Sequence, residues 1–164
     1  MVSINATFDA TITSDANSAA IIAAINQALG FYNTYVQAPV CGGPANILFK
    51  KVSTGLGESS TFFATYSYAA YYDVLQTTKT SADDTTAFNS LSFLGNTTHN
   101  PADNTTRIAL KSAHARYMGL APENTAGDLD STISINTLAT NPGSPGSSLA
   151  NSLIEVVQHE VNEA

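Results

Sequence analysis

The sequence predicts an α+β fold in which a mixed β-sheet carries a long N-terminal helix and a second helix at the C-terminal end. Three observations carry that expectation. Residues 4–13 alternate apolar Ile4, Ala6, Phe8, Ala10 and Ile12 against polar neighbours, the period of a half-buried strand. Beyond them, Ile22, Ile25, Leu29, Tyr32 and Val36 recur at helical spacing. Near the other end Ser131–Thr137 alternates again, and after a Gly/Pro-rich break Leu149, Leu153, Val156, Val157, Val161 and Ala164 fall on one arc at about 100° per residue.

Taken in order, Ser14 and Asp15 are placed to cap the long helix, and Gly30 is expected to end or bend it. The segment from Pro39 to Pro44 is a break. Its Cys41, the single cysteine, reads as a small turn residue and excludes an internal disulfide. Ala45–Ser53 is a second strand burying Ile47, Phe49 and Val52; if it runs parallel to the first, the long helix is a right-handed crossover. Gly55-Leu-Gly-Glu-Ser-Ser-Thr61 reads as a loop and, lacking a lysine, not as a phosphate cradle.

Phe62, Phe63, Tyr66, Tyr68, Tyr71 and Tyr72 crowd a span expected to pass from extended chain into a helix ending near Gln76. Their role is packing, with hydroxyls at the rim. Ser81–Asp84 marks another helix start, with acids favoured by the dipole. A polar loop over residues 95–106 holds a solvated His99. Arg107–Leu110 is a brief strand, Ser112 caps a short helix closed by Gly119, and His114 is an exposed helical residue. After a turn-rich connection at 121–130 comes the third strand, burying Ile133 and Ile135. The final helix is capped either by Ser147 or Ser148, or later by Ser152 in a box with Glu155.

Composition narrows the function. Hydrophobic residues make up 43% of the chain, enough for one domain spanning residues 1–164. Lys and Arg number 6 against 13 Asp and Glu, a formal charge of -7, so the chain has no electrostatic footprint for nucleic acid or an anionic membrane. Only 12% of residues are charged. The surface is therefore dressed with Ser, Thr, Asn and Gln, a style that favours a secreted protein, and glycosylation acceptors begin at Asn5, Asn96 and Asn104. No run reaches membrane-spanning length, and Met1–Ile4 lacks the makings of a signal peptide, so either the protein stays inside the cell or its signal lies outside this sequence.

The chemistry concentrates in the last helix. His159 and Glu163 lie about one turn apart and project from one edge at metal-ligand spacing, with Glu160 between them. This is the zinc-peptidase pattern H-E-x-x-H with glutamate in place of the second histidine. His159 and Glu163 are the expected metal ligands, and Glu160 the general base toward a metal-activated water. The helical arc gives a separate argument. Glu160 falls inside the apolar arc, where an acid is costly unless a cation or a hydrogen bond meets it. A carboxylate replacing a neutral imidazole adds negative charge to the metal, which is expected to lower its Lewis acidity or shift metal preference.

Ile4-Asn-Ala-Thr-Phe-Asp9, Gly55-Leu-Gly-Glu-Ser-Ser60, Asp130-Ser-Thr-Ile-Ser-Ile-Asn136 and Val156-Val-Gln-His-Glu-Val-Asn-Glu-Ala164 together resemble a family of secreted, zincin-like metallopeptidases whose active helix reads H-E-(I/V)-x-E-(V/A). The resemblance implies a zincin-like sheet and a Zn2+ cofactor held by His159 and Glu163. It also implies Glu160 as catalytic base and a peptide or protein substrate. Such chains continue past the motif to a third ligand, so this sequence is expected to be the N-terminal part of a longer catalytic domain, inactive alone. Ser134, Ile135 and Asn136, on a strand left as a sheet edge, are the expected contacts to an extended peptide. The alternative is a non-catalytic secreted binding or surface module on the same scaffold.

Overall fold

A computed structural model of the chain describes residues 4–35, 43–92, 98–122, 128–142 and 151–164. In chain order the elements are β1 (Ile4–Phe8), α1 (Ala10–Thr13), α2 (Ser18–Tyr35), β2 (Ala45–Lys51), β3 (Gly57–Thr61), β4 (Phe63–Ser67), α3 (Tyr68–Thr78), α4 (Ala82–Ser92), β5 (Arg107–Lys111), α5 (Ser112–Tyr117), β6 (Ser131–Ile135), β7 (Thr140–Asn141), β8 (Asn151–Ser152) and α6 (Leu153–Glu163). The fold is thus mixed α+β. The readings of Cys41, Val36, Leu149, Ser147, Ser148 and Asn96 lie outside the described residues. Among the described residues no helix is long and apolar enough to cross a membrane.

The chain divides into two compact units. The first, Met1–Ala38, Pro44–Phe62 and Asn124–Ala164, holds a four-stranded sheet in the order β1-β2-β6-β3. β1, β2 and β6 are parallel, Ile4 facing Ala45 and Ile47 facing Ser131, while β3 runs antiparallel to β6 with Gly57 opposite Ile135. The period-two pattern places Ile47, Phe49, Ile133 and Ile135 on one face, all buried. Ile12, Ile21, Ile25, Ala28 and Leu29 from α1 and α2, and Leu153 and Val157 from α6, close over them as one core.

The long helix agrees with its periodicity, but it runs on through Gly30 to Tyr35 instead of ending there. Burial on both sides of the glycine explains this. Leu29 packs in the core, and the Tyr32 hydroxyl lies 2.7 Å from the Gln158 carbonyl oxygen and 3.1 Å from Asn162 Oδ1 of α6. The first strand is shorter than its alternation suggests. Asp9 caps α1, its carboxylate accepting the Thr11 amide at 2.8 Å, so Ala10 and Ile12 belong to a short helix.

The second unit, Pro39–Gly43 and Phe63–Glu123, pairs β4 with β5 in antiparallel register, Phe63 opposite Lys111. Its core is Tyr68, Tyr72 and Phe88, with Tyr71, Leu75, Leu91 and Ile108 packed against it. The aromatic span therefore does pass from strand into helix and does pack. α3 and α4 flank a cleft of about 450 Å³ lined by Tyr71, Leu75, Lys79, Phe88 and neighbours, with the Lys79 ammonium 4.4 Å from the Phe88 ring centre. Ser112 is the first residue of α5 instead of its cap, and Gly119, at φ 74°, follows its end.

Candidate metal centre

Helix α6 begins where its own sequence provides a cap. Ser152 Oγ accepts the Glu155 amide at 3.4 Å, and Glu155 is the acid of the first turn. The later of the two starts read from the sequence is therefore the one used. Leu153 and Val157 have no exposed surface, and burying each contributes about 1.5–3 kcal/mol. That burial fixes the rotation of the helix. Glu160, one turn beyond Val157 on the same arc, is carried into the interior and is 5% exposed.

Its Oε2 is buried and has no hydrogen-bond partner among the described residues. Burial, first of all, raises the Glu160 carboxyl above its ordinary value. Glu163 and Glu58 push in the same direction and His159 opposes them. His159 and Glu163 stand on the helix margin, 68% and 57% exposed at the side chain, with His159 Nε2 3.2 Å from Glu163 Oε1.

These donors pass a simple geometric test. Two ligands at about 2.0–2.1 Å from a tetrahedral zinc stand about 3.3 Å apart. The 3.2 Å between His159 Nε2 and Glu163 Oε1, an i, i+4 ion-pair contact, is also within the span of one edge of such a shell. Among the described residues no group of three or more His, Cys, Asp or Glu gathers as a metal cage. His99 and His114 lie in the second unit, His99 Nδ1 being 2.9 Å from Thr98 Oγ1. Glu155 is exposed where Glu160 is buried, so a carboxylate cluster using both does not assemble, as the helical spacing implies.

The edge-strand expectation needs correcting. Ser134, Ile135 and Asn136 are 4%, 0% and 6% exposed, and β6 is bonded on both sides, to β2 and to β3. Asn136 is occupied as well: its amide donates to the Leu56 carbonyl at 2.9 Å, its Nδ2 donates to the Gly55 carbonyl at 2.8 Å, and its Oδ1 accepts the Leu138 amide at 3.0 Å. The edge beside α6 is β3, a segment that reads as loop. It has no large apolar residue, so no periodicity announces it; its pairing is main-chain bonding to β6. Within it Gly57 lies directly against the Glu160 side chain. The one signal available beforehand was the paired glycines, Gly55 and Gly57.

No protein-family model, no curated protein and no solved structure matches this chain.

Proposed function

We propose that the protein, with a third metal ligand beyond the described residues, is a zinc-dependent peptidase on a zincin-like scaffold, with His159 and Glu163 as metal ligands and Glu160 as general base. One observation carries the reading. A carboxylate with an oxygen that is buried and, among the described residues, unpartnered sits on the same helical turn as two exposed donors close enough to share one cation. Structural acids do not need that arrangement, because a buried carboxylate without a partner costs stability.

Zinc, when bound, supplies Lewis acidity that activates a water and polarises a carbonyl. The chain's own residues do the rest. Glu160 accepts the proton of the attacking water and returns it to the nitrogen of the leaving amine. Burial raises its proton affinity, the direction that favours holding a proton between taking it and giving it up. The outer side of β3 offers main-chain donors and acceptors to an extended peptide beside Glu160, the role first expected of Ser134, Ile135 and Asn136. The resemblance to secreted metallopeptidases supports an extracellular setting.

Glu160→Gln tests the reading. Peptide hydrolysis in the presence of zinc should fall by about 10²–10⁴-fold, while calorimetry finds zinc affinity kept. A non-catalytic binding module would show no hydrolysis to lose, and unchanged turnover in the variant would remove Glu160 from the mechanism.

A further inference from the structure

We propose that Gly57 is the positioning residue for Glu160: the missing side chain on the edge strand is the notch that receives the carboxylate. The packing claim stands alone, and its consequence for catalysis rests on the peptidase reading. Gly57 is the first residue of β3, opposite Ile135. Glycine in a strand loses more conformational freedom than any other residue and packs nothing.

Backbone geometry does not ask for it either. Among the described glycines positive φ occurs at Gly55 and Gly119, not at Gly57. The requirement comes from α6. A Cβ built on Gly57 would lie 2.8 Å from both Cγ and Cδ of Glu160 and closer still to Oε1. Gly55, two residues earlier, is the contrast: a Cβ there meets only the Gly57 carbonyl oxygen, at 3.9 Å, and its φ of 68° explains the residue. The two glycines that sequence reading grouped as one loop signal therefore have separate causes.

The colliding atoms are the far end of a flexible side chain. Alanine at position 57 would leave β3 paired and push the Glu160 carboxylate out from beneath the strand. Gly57 thus fixes where the oxygens of the acid sit.

A melting-temperature cycle over the wild type, Gly57→Ala, Glu160→Ala and the double variant tests this. In the Glu160→Ala background, Gly57→Ala should raise Tm by about 1–4 °C, the gain of removing a strand glycine. With Glu160 present the shift should differ from that gain, because the alanine must also displace the acid from beneath the strand. Equal shifts in the two backgrounds would overturn the proposal. In zinc-loaded protein with a peptide substrate, Gly57→Ala should lower kcat by about 10²-fold through misplacement of the base, with KM and zinc affinity kept. Unchanged kcat in a protein that does hydrolyse peptide would overturn the positioning role. A wild type that hydrolyses nothing bears on the peptidase reading alone, and the melting cycle still decides whether Gly57 seats Glu160.

Discussion

Glu160 in the first unit and Asp84 in the second are carboxylates treated in opposite ways. Glu160 is buried, its Oε2 has no partner among the described residues, and burial raises its proton affinity. Asp84 is exposed and accepts the main-chain amides of Ser81 at 2.9 Å and Thr80 at 3.0 Å, which hold it down at about 2. Ser81 Oγ in turn accepts the Asp84 amide at 3.0 Å, so the pair forms a reciprocal cap on α4. The structure accounts for Asp84 through helix stability. It gives no such account of Glu160, and the proposed role as general base rests on that mismatch.

The sharpest way to break the comparison is to make each residue purely structural. Glu160→Met keeps the length and removes the charge. It should raise the unfolding free energy at neutral pH by about 1–3 kcal/mol in urea titrations, because an unsatisfied buried group is lost. A loss of stability would mean that Glu160 has a structural partner after all. On the other side, Ser81→Ala should cost about 0.5–2 kcal/mol, as helix caps do. If α4 ignores the change, Asp84 is no better explained than Glu160. A smaller effect concerns Tyr68, 1% exposed, whose hydroxyl is also buried without a partner among the described residues. Tyr68→Phe should stabilise by at most about 1 kcal/mol, since a neutral hydroxyl is cheaper to strand than a carboxylate.

The same contrast governs what the sequence reveals. β2, α2, β6 and α6 are legible because each buries a repeating apolar face, and burial imposes a period: Ile47 and Phe49, Ile25 and Leu29, Ile133 and Ile135, Leu153 and Val157. Glu160 is legible for the same reason, as a polar residue out of place on such an arc. β3 is hidden because its five residues, Gly57 to Thr61, alternate only between half-buried and exposed, and its bonds are those of the backbone. α1 is hidden because Ala10 and Ile12, two apart, suit a strand as well as one helical turn, and the decision falls to the Asp9 cap. The edge and the site are coupled. Missing β3 sends the substrate contacts to Ser134, Ile135 and Asn136, and it conceals Gly57, whose link to Glu160 depends on the tertiary fold.

The smallest effects are in the pH dependence, where the two acids must act with opposite sign. Glu160 binds its proton more tightly folded than unfolded, so above its ordinary value of 4.5 the folded state holds more protons than the unfolded one. Its contribution to stability is complete below 4.5 and is lost as pH rises through the elevated folded value. Asp84 is depressed from 3.8 to about 2, so its contribution is complete above 3.8 and is lost as pH falls toward 2. Urea midpoints measured across pH 2 to 8 should therefore change slope in two separate windows. Glu160→Gln should flatten the upper window alone and Asp84→Asn the lower. The upper slope is the more informative of the two, because Gly57→Ala, by releasing the carboxylate to water, should erase it while Glu160 is still present. An upper slope that survives in Gly57→Ala would mean that the acid stays buried without the notch.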